Sequence, residues 1–186
     1  MTRIIIINLM FLCFSLLGVS AWAKEPKVME WDQLMPPGYV ESLLEESAKN
    51  AARTQSLFSF DDNSEEAQTA YEELKAKLSS APIVTTLNDE FIKLAGFIVP
   101  LDFDFDSETF TSFLLVPYYG ACIHVPPPPS NQIVHITSSQ PLQQEWLDYA
   151  VWAVGTLKTE SVYSEYGFAG YSMQNAKLEK YEEEEK

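Results

Sequence analysis

Five strand-like runs in the second half of the chain constrain its fold more than any other feature. Apolar side chains occupy every second position from Phe97 to Phe105, and aspartates follow the last three of them at 102, 104 and 106, which is the period of two expected of a half-buried strand. Residues 141–147 can form one helical turn between the third and fourth runs. Gly96 and Gly155 interrupt two strand patterns, as glycine does at bulges and barrel corners. The other four runs are residues 109–119, 131–137, 149–159 and 170–181.

This arrangement predicts a mainly β chain with N-terminal helices, in which the domain is a small five-stranded OB-like Greek-key barrel. An open α+β sheet is the alternative. Before the barrel, apolar residues recur at helical spacing over residues 38–53, and a second amphipathic helix ends before Pro82. We expect residues 24–82 to form a helical segment packed on the barrel, and residues 83–186 to form the OB-like domain with an acidic tail.

The first 23 residues have the features of an export signal. Arg3 precedes an apolar run over residues 4–19, whose roughly 16 residues are fewer than the ~20 of a bilayer span. Ala21 and Ala23 then supply the small-x-small pattern of a signal-peptidase site. We expect cleavage after Ala23, a periplasmic location and no stable insertion in the membrane. An uncleaved membrane anchor is the alternative.

The charge of the chain excludes several classes of function. Acidic residues outnumber basic ones 27 to 12, and the formal net charge is −15. A surface of this sign repels phosphate backbones, so we expect no nucleic-acid partner. The sequence contains no glycine pattern for nucleotides and no nucleophile motif, and we therefore expect no enzymatic activity.

Cleavage of the signal would leave one cysteine in the exported protein. The chain has 2 cysteines, and Cys13 lies inside the signal. Cys122 would then be a single thiol in an oxidising compartment, unable to form an intramolecular disulfide. Burial as a small hydrophobic residue and ligation of a metal are the two explanations that we consider for it.

The Cys-x-His sequence at Cys122 and His124 is the candidate metal site. On an extended backbone, side chains two residues apart project to the same face, and a thiolate and an imidazole both suit zinc or copper. His135, on the next strand, is a candidate third ligand, and Asp106, Glu108 or a water would complete the coordination. In the alternative, Cys122 is a core residue and His124 bonds to the backbone.

The proline run that follows the candidate site predicts a stiff arm. Residues 126–129 are four consecutive prolines, which favour a polyproline II conformation without backbone donors. Such an arm would fix the exit of the loop. We expect Asn131 and Gln132 to return hydrogen bonds to it.

The string GACIHVPPPPSNQ at residues 120–132 resembles the signature of the DUF3299 family, exported bacterial proteins of unestablished biochemical role. His135 lies outside this string. The resemblance also implies a genomic association with transporter components for zinc supply. Further matching strings are WDQLMP at 31–36, GFIVPL at 96–101, FLLVP at 113–117, VGTL at 154–157 and GYSM at 170–173.

Two hypotheses for the function follow. In the first, the protein is a periplasmic metal-binding accessory or chaperone-like protein. It would hold zinc, or alternatively copper, through Cys122 and His124, and pass it to an envelope transporter component or a metal-requiring apo-protein. In the alternative, it is a metal-free protein-binding module whose rigid loop, residues 118–132, recognises another envelope protein.

Overall fold

Strands account for most of the regular structure of the chain. The computed structural model describes residues 24–49, 65–121 and 128–182, so the predicted signal over residues 1–23 lies outside the described residues. Within these ranges the α-helices are α1 (Tyr39–Lys49) and α2 (Glu65–Ser79). The strands are β1 (Lys27–Met29), β2 (Phe91–Pro100), β3 (Thr109–Val116), β4 (Val134–Gln143), β5 (Val151–Lys158), β6 (Val162–Ser164), β7 (Gly167–Ala169), β8 (Tyr171–Gln174) and β9 (Lys177–Lys180).

Strand β2 closes the barrel because its two halves pair with different strands. Its first half, Phe91 to Gly96, pairs with β5, and its second half, Phe97 to Pro100, pairs with β3. Gly96 lies at the junction. A Cβ there would be 2.7 Å from the carbonyl oxygen of Val116, so only glycine allows this approach of the backbones.

The five strands β2, β3, β4, β8 and β5 form a closed ring of hydrogen-bonded neighbours. All adjacent pairs in this ring are antiparallel except β4 and β8, which are parallel. β1 adds to β2 in parallel, and β9 adds to β5. The predicted five-stranded barrel is therefore confirmed, its strand order is compatible with the OB-like assignment, and the open α+β sheet is not the structure adopted.

Strand β3 is buried on both faces. Phe113 and Leu115 belong to the main hydrophobic cluster within the barrel, whereas Leu114 and Val116 belong to a second cluster. Because successive side chains of a strand point to opposite faces, the second cluster lies on the outside of the barrel wall. A layer of chain must therefore cover that wall. The covering residues include Ala121, Ile133 and Ala169.

The first, third and fifth strands differ from the sequence prediction, and the third, expected over residues 131–137, is β4 (Val134–Gln143). β2 begins at Phe91 and ends at Pro100, so the aspartates of residues 102–106 belong to a turn. Asp104 stabilises that turn by accepting a hydrogen bond from the Asp106 amide at 2.9 Å. The fifth run is two strands, β8 and β9, because the chain turns at Asn175, whose φ is 55°. The predicted helical turn at 141–147 is the end of β4 followed by a 3₁₀ turn, Gln144–Leu147.

Both predicted helices are present. The first was expected over residues 38–53, and α1 spans Tyr39–Lys49, with residues 50–64 outside the described part of the chain. Leu44 of α1 is 65% exposed, and Leu74 of α2 is 39% exposed. The segment before residue 83 also supplies β1, so it contributes a strand to the sheet as well as the helices.

Two aromatic side chains tie the start of the described chain to the barrel. The indole of Trp31 donates a hydrogen bond to the carbonyl of Ala95 at 2.7 Å. The hydroxyl of Tyr171, which is fully buried, donates to the carbonyl of Leu34 at 2.7 Å and accepts from the amide of Val84 at 2.7 Å. One phenol therefore holds two separate segments against β8.

We expect Tyr171→Phe to lower the free energy of unfolding by about 2–4 kcal/mol, because it leaves a buried carbonyl and a buried amide without partners. Urea denaturation followed by tryptophan fluorescence measures the change. Tyr163→Phe is the matched control, since Tyr163 is 71% exposed and its change should stay within about 0.5 kcal/mol. Equal effects of the two substitutions would contradict the bridging role of Tyr171.

An ion pair between β2 and β9 crosses the intervening strand β5. Lys93 Nζ lies 2.8 Å from Glu179 Oε2, and Lys177 Nζ lies 2.9 Å from Glu179 Oε1. Lys93 also lies over the ring of Trp152, 5.0 Å from its centroid. The hydrogen bond from Lys93, supported by that from Lys177, lowers the pKa of Glu179 from 4.5 to about 2.

This pKa predicts a contribution of Glu179 to stability that is lost in acid. A carboxyl whose pKa is lower in the folded state stabilises the fold above its unfolded pKa, and the contribution disappears between pH 4.5 and about 2. We expect Glu179→Gln to unfold at lower urea concentration than wild type at pH 6, and the difference to shrink toward pH 2.5. A difference that is independent of pH would contradict the assignment.

Candidate functional site

His135 is the predicted ligand that the structure describes. It lies on β4, directly opposite Leu114 of β3 and beside Ser172 of β8 in the register of the sheet. Its ring is half-buried on the outer face of the barrel wall, and its Nε2 is 3.1 Å from the hydroxyl oxygen of Ser112. The ring is therefore oriented by a hydrogen bond to a neighbouring strand.

Burial keeps the His135 imidazole neutral. Desolvation lowers the pKa of His135 below its ordinary value, and the nearby carboxylates of Glu160 and Asp102 oppose this shift without reversing it. Neutral imidazole is the form that binds metals, since one ring nitrogen then keeps a lone pair. The electrostatic environment of His135 is therefore compatible with ligation.

The two carboxylates that act on His135 are engaged in hydrogen bonds of their own. Asp102 accepts from the Ser112 amide at 2.7 Å, from the Thr111 amide at 2.9 Å and from the Thr111 hydroxyl. Burial opposes ionisation of Asp102, but these bonds outweigh it and hold its pKa below the usual value. Glu160 accepts from the Ser172 hydroxyl at 2.5 Å. Both carboxylates thus stabilise the strands around His135.

Cys122 and His124 lie outside the described residues, and so do the first prolines of the string, up to residue 127. The chain is fixed on both sides of this gap. Ala121 is 1% exposed and packs in the outer cluster, and Pro128 is buried where the description resumes. The segment that carries the predicted ligands therefore leaves from, and returns to, the outer wall of the barrel.

Ser130, Asn131 and Gln132 anchor the returning chain. The side-chain amide of Asn131 donates to the carbonyl of Pro82 at 2.8 Å, and the side-chain amide of Gln132 donates to the carbonyl of Trp31 at 2.8 Å. We expected these side chains to bond back to their own loop. Gln132 does reach the carbonyl of Asn131 at 3.1 Å, but the other bonds join the string to the N-terminal segment.

Gly170 allows the close packing of this anchor. Its amide donates to the carbonyl of Ser130 at 2.7 Å. A Cβ at position 170 would lie 2.9 Å from that same oxygen and 2.8 Å from Cγ2 of Ile83. The glycine of the GYSM string is therefore required by the contact with the SNQ string, and the two family motifs meet at one point.

The described residues alone do not form a metal centre. Over residues 24–49, 65–121 and 128–182, no group of three or more His, Cys, Asp or Glu side chains could hold a metal ion. Asp106 and Glu108 therefore do not complete a site of three such side chains with His135. His135 is suited to act as a metal ligand, because its imidazole is neutral and a hydrogen bond fixes the orientation of the ring. A site in this region would need Cys122 and His124.

Sequence reasoning missed the residues that position the site. Ser112 orients His135, and Asp102 fixes the strand that carries Ser112. No local pattern of the sequence connects either residue to His135, which lies 23 residues after Ser112. Trp31 and Tyr171 stand in strings that the family resemblance had singled out. Their role as tethers depends on contacts with distant segments, which no local pattern reports.

Three comparisons place the chain among known proteins. The family model of DUF3299, described as a protein of unknown function, matches residues 31–180. The crystal structure of a DUF3299 family protein from Pseudomonas aeruginosa PAO1 is similar, with 36% sequence identity and a TM-score of 0.62. The match covers 86% of this chain and 99% of that one. Among curated proteins, none matches.

Neither helix in the part of the chain that the structure describes is long and apolar enough to cross a bilayer. The family model matches most of the sequence, and the solved relative is 36% identical to it. The chain belongs to the DUF3299 family.

Proposed function

We propose that the protein is a metal-binding accessory protein of the bacterial envelope, with zinc as its ion and copper as the alternative. Cys122 and His124 would supply a thiolate and an imidazole, and His135 a second imidazole. The proposal rests on one observation, which is that His135 lies on the same outer wall from which the Cys-Ile-His segment departs.

The register of the sheet supports this placement. Ala121, the residue before Cys122, packs with Leu114 and Ile133. Leu114 is directly opposite His135, and Ile133 precedes it by two residues, so both share its face of the strand. Each further residue extends the chain by at most about 3.3–3.6 Å. Ala121, the last described residue before Cys122, therefore packs on the face of the sheet that carries His135.

Ser112 would prepare His135 for this role. When Nε2–H donates to the Ser112 hydroxyl, Nδ1 keeps the lone pair that a metal requires. Ligating histidines commonly donate their second ring nitrogen to an oxygen in this manner. Bound zinc would supply a cation that three side chains share. A centre with an incomplete protein shell would release its ion readily to an acceptor protein.

Location and partner follow from the same proposal. The apolar N-terminal run with its Ala-x-Ala site supports export to the periplasm with cleavage after Ala23. The net charge of −15 would raise the local concentration of cations. An envelope transporter component, or an apo-protein that requires the metal, is the proposed acceptor.

We expect zinc to stabilise the exported protein when its thiol is reduced. At a hundredfold excess of free ion over the dissociation constant, the gain is about 2.7 kcal/mol if the unfolded chain does not bind. Cys122→Ser and His124→Ala should each remove most of this gain, and His135→Ala part of it. Thermal unfolding of protein purified from the periplasm without an affinity tag, with and without each ion, measures the gain.

Copper and zinc arms distinguish the two ions, and Ser112→Ala tests the support of His135. Ser112→Ala should weaken binding less than His135→Ala, because it removes the orienting oxygen but leaves the imidazole. If neither ion changes the thermal unfolding midpoint of the wild type, metal binding is contradicted. Equal stabilisation of wild type and Cys122→Ser would contradict the assigned ligands.

A second candidate function uses the same loop without a metal. Tyr118 and Tyr119, at the start of the loop formed by residues 118–132, are 55% and 75% exposed. Tyr119 is held edge-to-face against Phe97, with 5.9 Å between the ring centroids. Exposed aromatic side chains in a fixed position are typical of protein-binding surfaces. In this case the loop recognises another envelope protein.

We expect a photo-crosslinking amino acid at position 119 to capture one discrete partner in cells if the loop is a recognition element. The same substitution at position 163, where Tyr163 is 71% exposed on another hairpin, is the control. Loss of the crosslink in Tyr118→Ser, with Cys122→Ser unaffected, would support the metal-free function. The same product from both positions would contradict it.

A further inference from the structure

A groove at one end of the barrel joins three separate segments of the chain. It is an open cavity of about 640 Å³ between the end of β2, the 3₁₀ turn Gln144–Leu147 and the turn of the β6–β7 hairpin. Leu101, Phe103, Phe105 and Leu147 supply its apolar lining. Glu165 and Tyr166 form one rim. We call this cavity the acidic groove, and Leu101 in its lining also packs against the outer cluster of the barrel wall.

Phe105 projects into the acidic groove from a fixed support. Its side chain is 85% exposed, although its turn is held by backbone bonds between Asp104 and Thr109 of 2.8 and 3.2 Å. The ring of Phe103 lies beneath it, with 5.1 Å between the centroids, and Phe103 in turn stacks on Phe110 of the core. A large apolar side chain is therefore presented to solvent in one position, at low entropic cost for a partner.

The charge around the acidic groove has one sign. From residue 94 to residue 157 the sequence contains no lysine or arginine. All six carboxylates of that stretch lie in the two segments that border the groove, residues 102–108 and 145–148. The ion pairs found among the described residues join Lys24, Lys93, Lys158 and Lys177 to carboxylates elsewhere. Asp102 and Asp104 accept hydrogen bonds from neighbouring residues, whereas the other four carboxylates take part in none of these ion pairs and are available to cations from outside.

We propose that the acidic groove binds a basic amphipathic segment of a partner protein. An apolar side chain of the partner would pack between Phe105, Leu147 and Tyr166, while lysines or arginines on either side would contact the carboxylates of the rim. The charge pattern selects this occupant. A second copy of this chain would bring the same carboxylates together, and like charges in contact oppose association.

The apolar surface and the charge act together in this proposal. Hydrophobic burial at the centre supplies affinity, whereas the surrounding charges supply orientation and rate of association. Binding should therefore need both an apolar centre and basic flanks in the partner. It should weaken when salt rises, because the rim is exposed to solvent.

The test measures fluorescence anisotropy of a labelled seven-residue peptide that alternates lysine with leucine around a central tryptophan. The sample is the exported chain, and binding is measured at low and at physiological salt concentration. We expect saturable binding, and about tenfold weaker binding to Phe105→Ser or to Glu165→Lys, as for removal of one central contact. Leu44→Ser is the matched control for exposed apolar surface, and Glu25→Lys for net charge, since both residues are exposed outside the groove.

Each other outcome overturns the proposal. Equal binding of a lysine–glycine peptide without apolar residues would show general charge attraction. An equal loss of peptide affinity in Glu25→Lys and Glu165→Lys would also show general charge attraction. No saturable binding of the tryptophan peptide would show that the groove does not take this class of ligand. Sedimentation that reveals dimers dissociated by Phe105→Ser would assign the groove to a second copy.

Discussion

The whole barrel depends on a single strand that has two sets of partners. The first half of β2 pairs with β5 and its second half with β3, so the wall closes where one set of partners gives way to the other. The change occurs at Gly96, where the carbonyl of Val116 approaches too closely for any side chain. A closed wall leaves no free edge in the ring and encloses one core. Every other element is placed relative to that ring.

A second layer of chain covers the outside of the barrel wall at β3. Leu114 and Val116 of β3 are covered by Ala121, Ile133 and Ala169, and the chain that returns from the loop is bonded to the N-terminal segment through Asn131 and Gln132. The described part of the string at residues 120–132 therefore serves in packing and attachment. This layer also holds His135 partly out of water. Structure and candidate chemistry therefore share one face of the barrel.

The sequence predicted the elements that depend on local pattern. Strands β3 and β5 and both helices were placed close to their observed positions, because alternation and helical spacing are properties of neighbouring residues. The aspartates after Pro100 alternate with aromatic residues as in a strand, yet Asp104 accepts a hydrogen bond from an amide within a turn and Asp102 accepts one from Ser112 of β3. For the site, His135 was found from its residue type. Ser112 was not, because it meets the imidazole only through the register of two strands.

The bond between Tyr171 and Leu34 has a consequence for the order of folding. It joins residues 137 positions apart, and β1, near the start of the described chain, pairs with β2 more than sixty residues later. Contacts of such sequence separation are slow to form, because a long loop must close before they contribute. Leu34 does not gain its bond from Tyr171 until β8 has been added to the chain. Folding of the barrel is therefore an event of the nearly complete chain, and a chain that ends before residue 171 lacks both β8 and the hydrogen bond that holds Leu34.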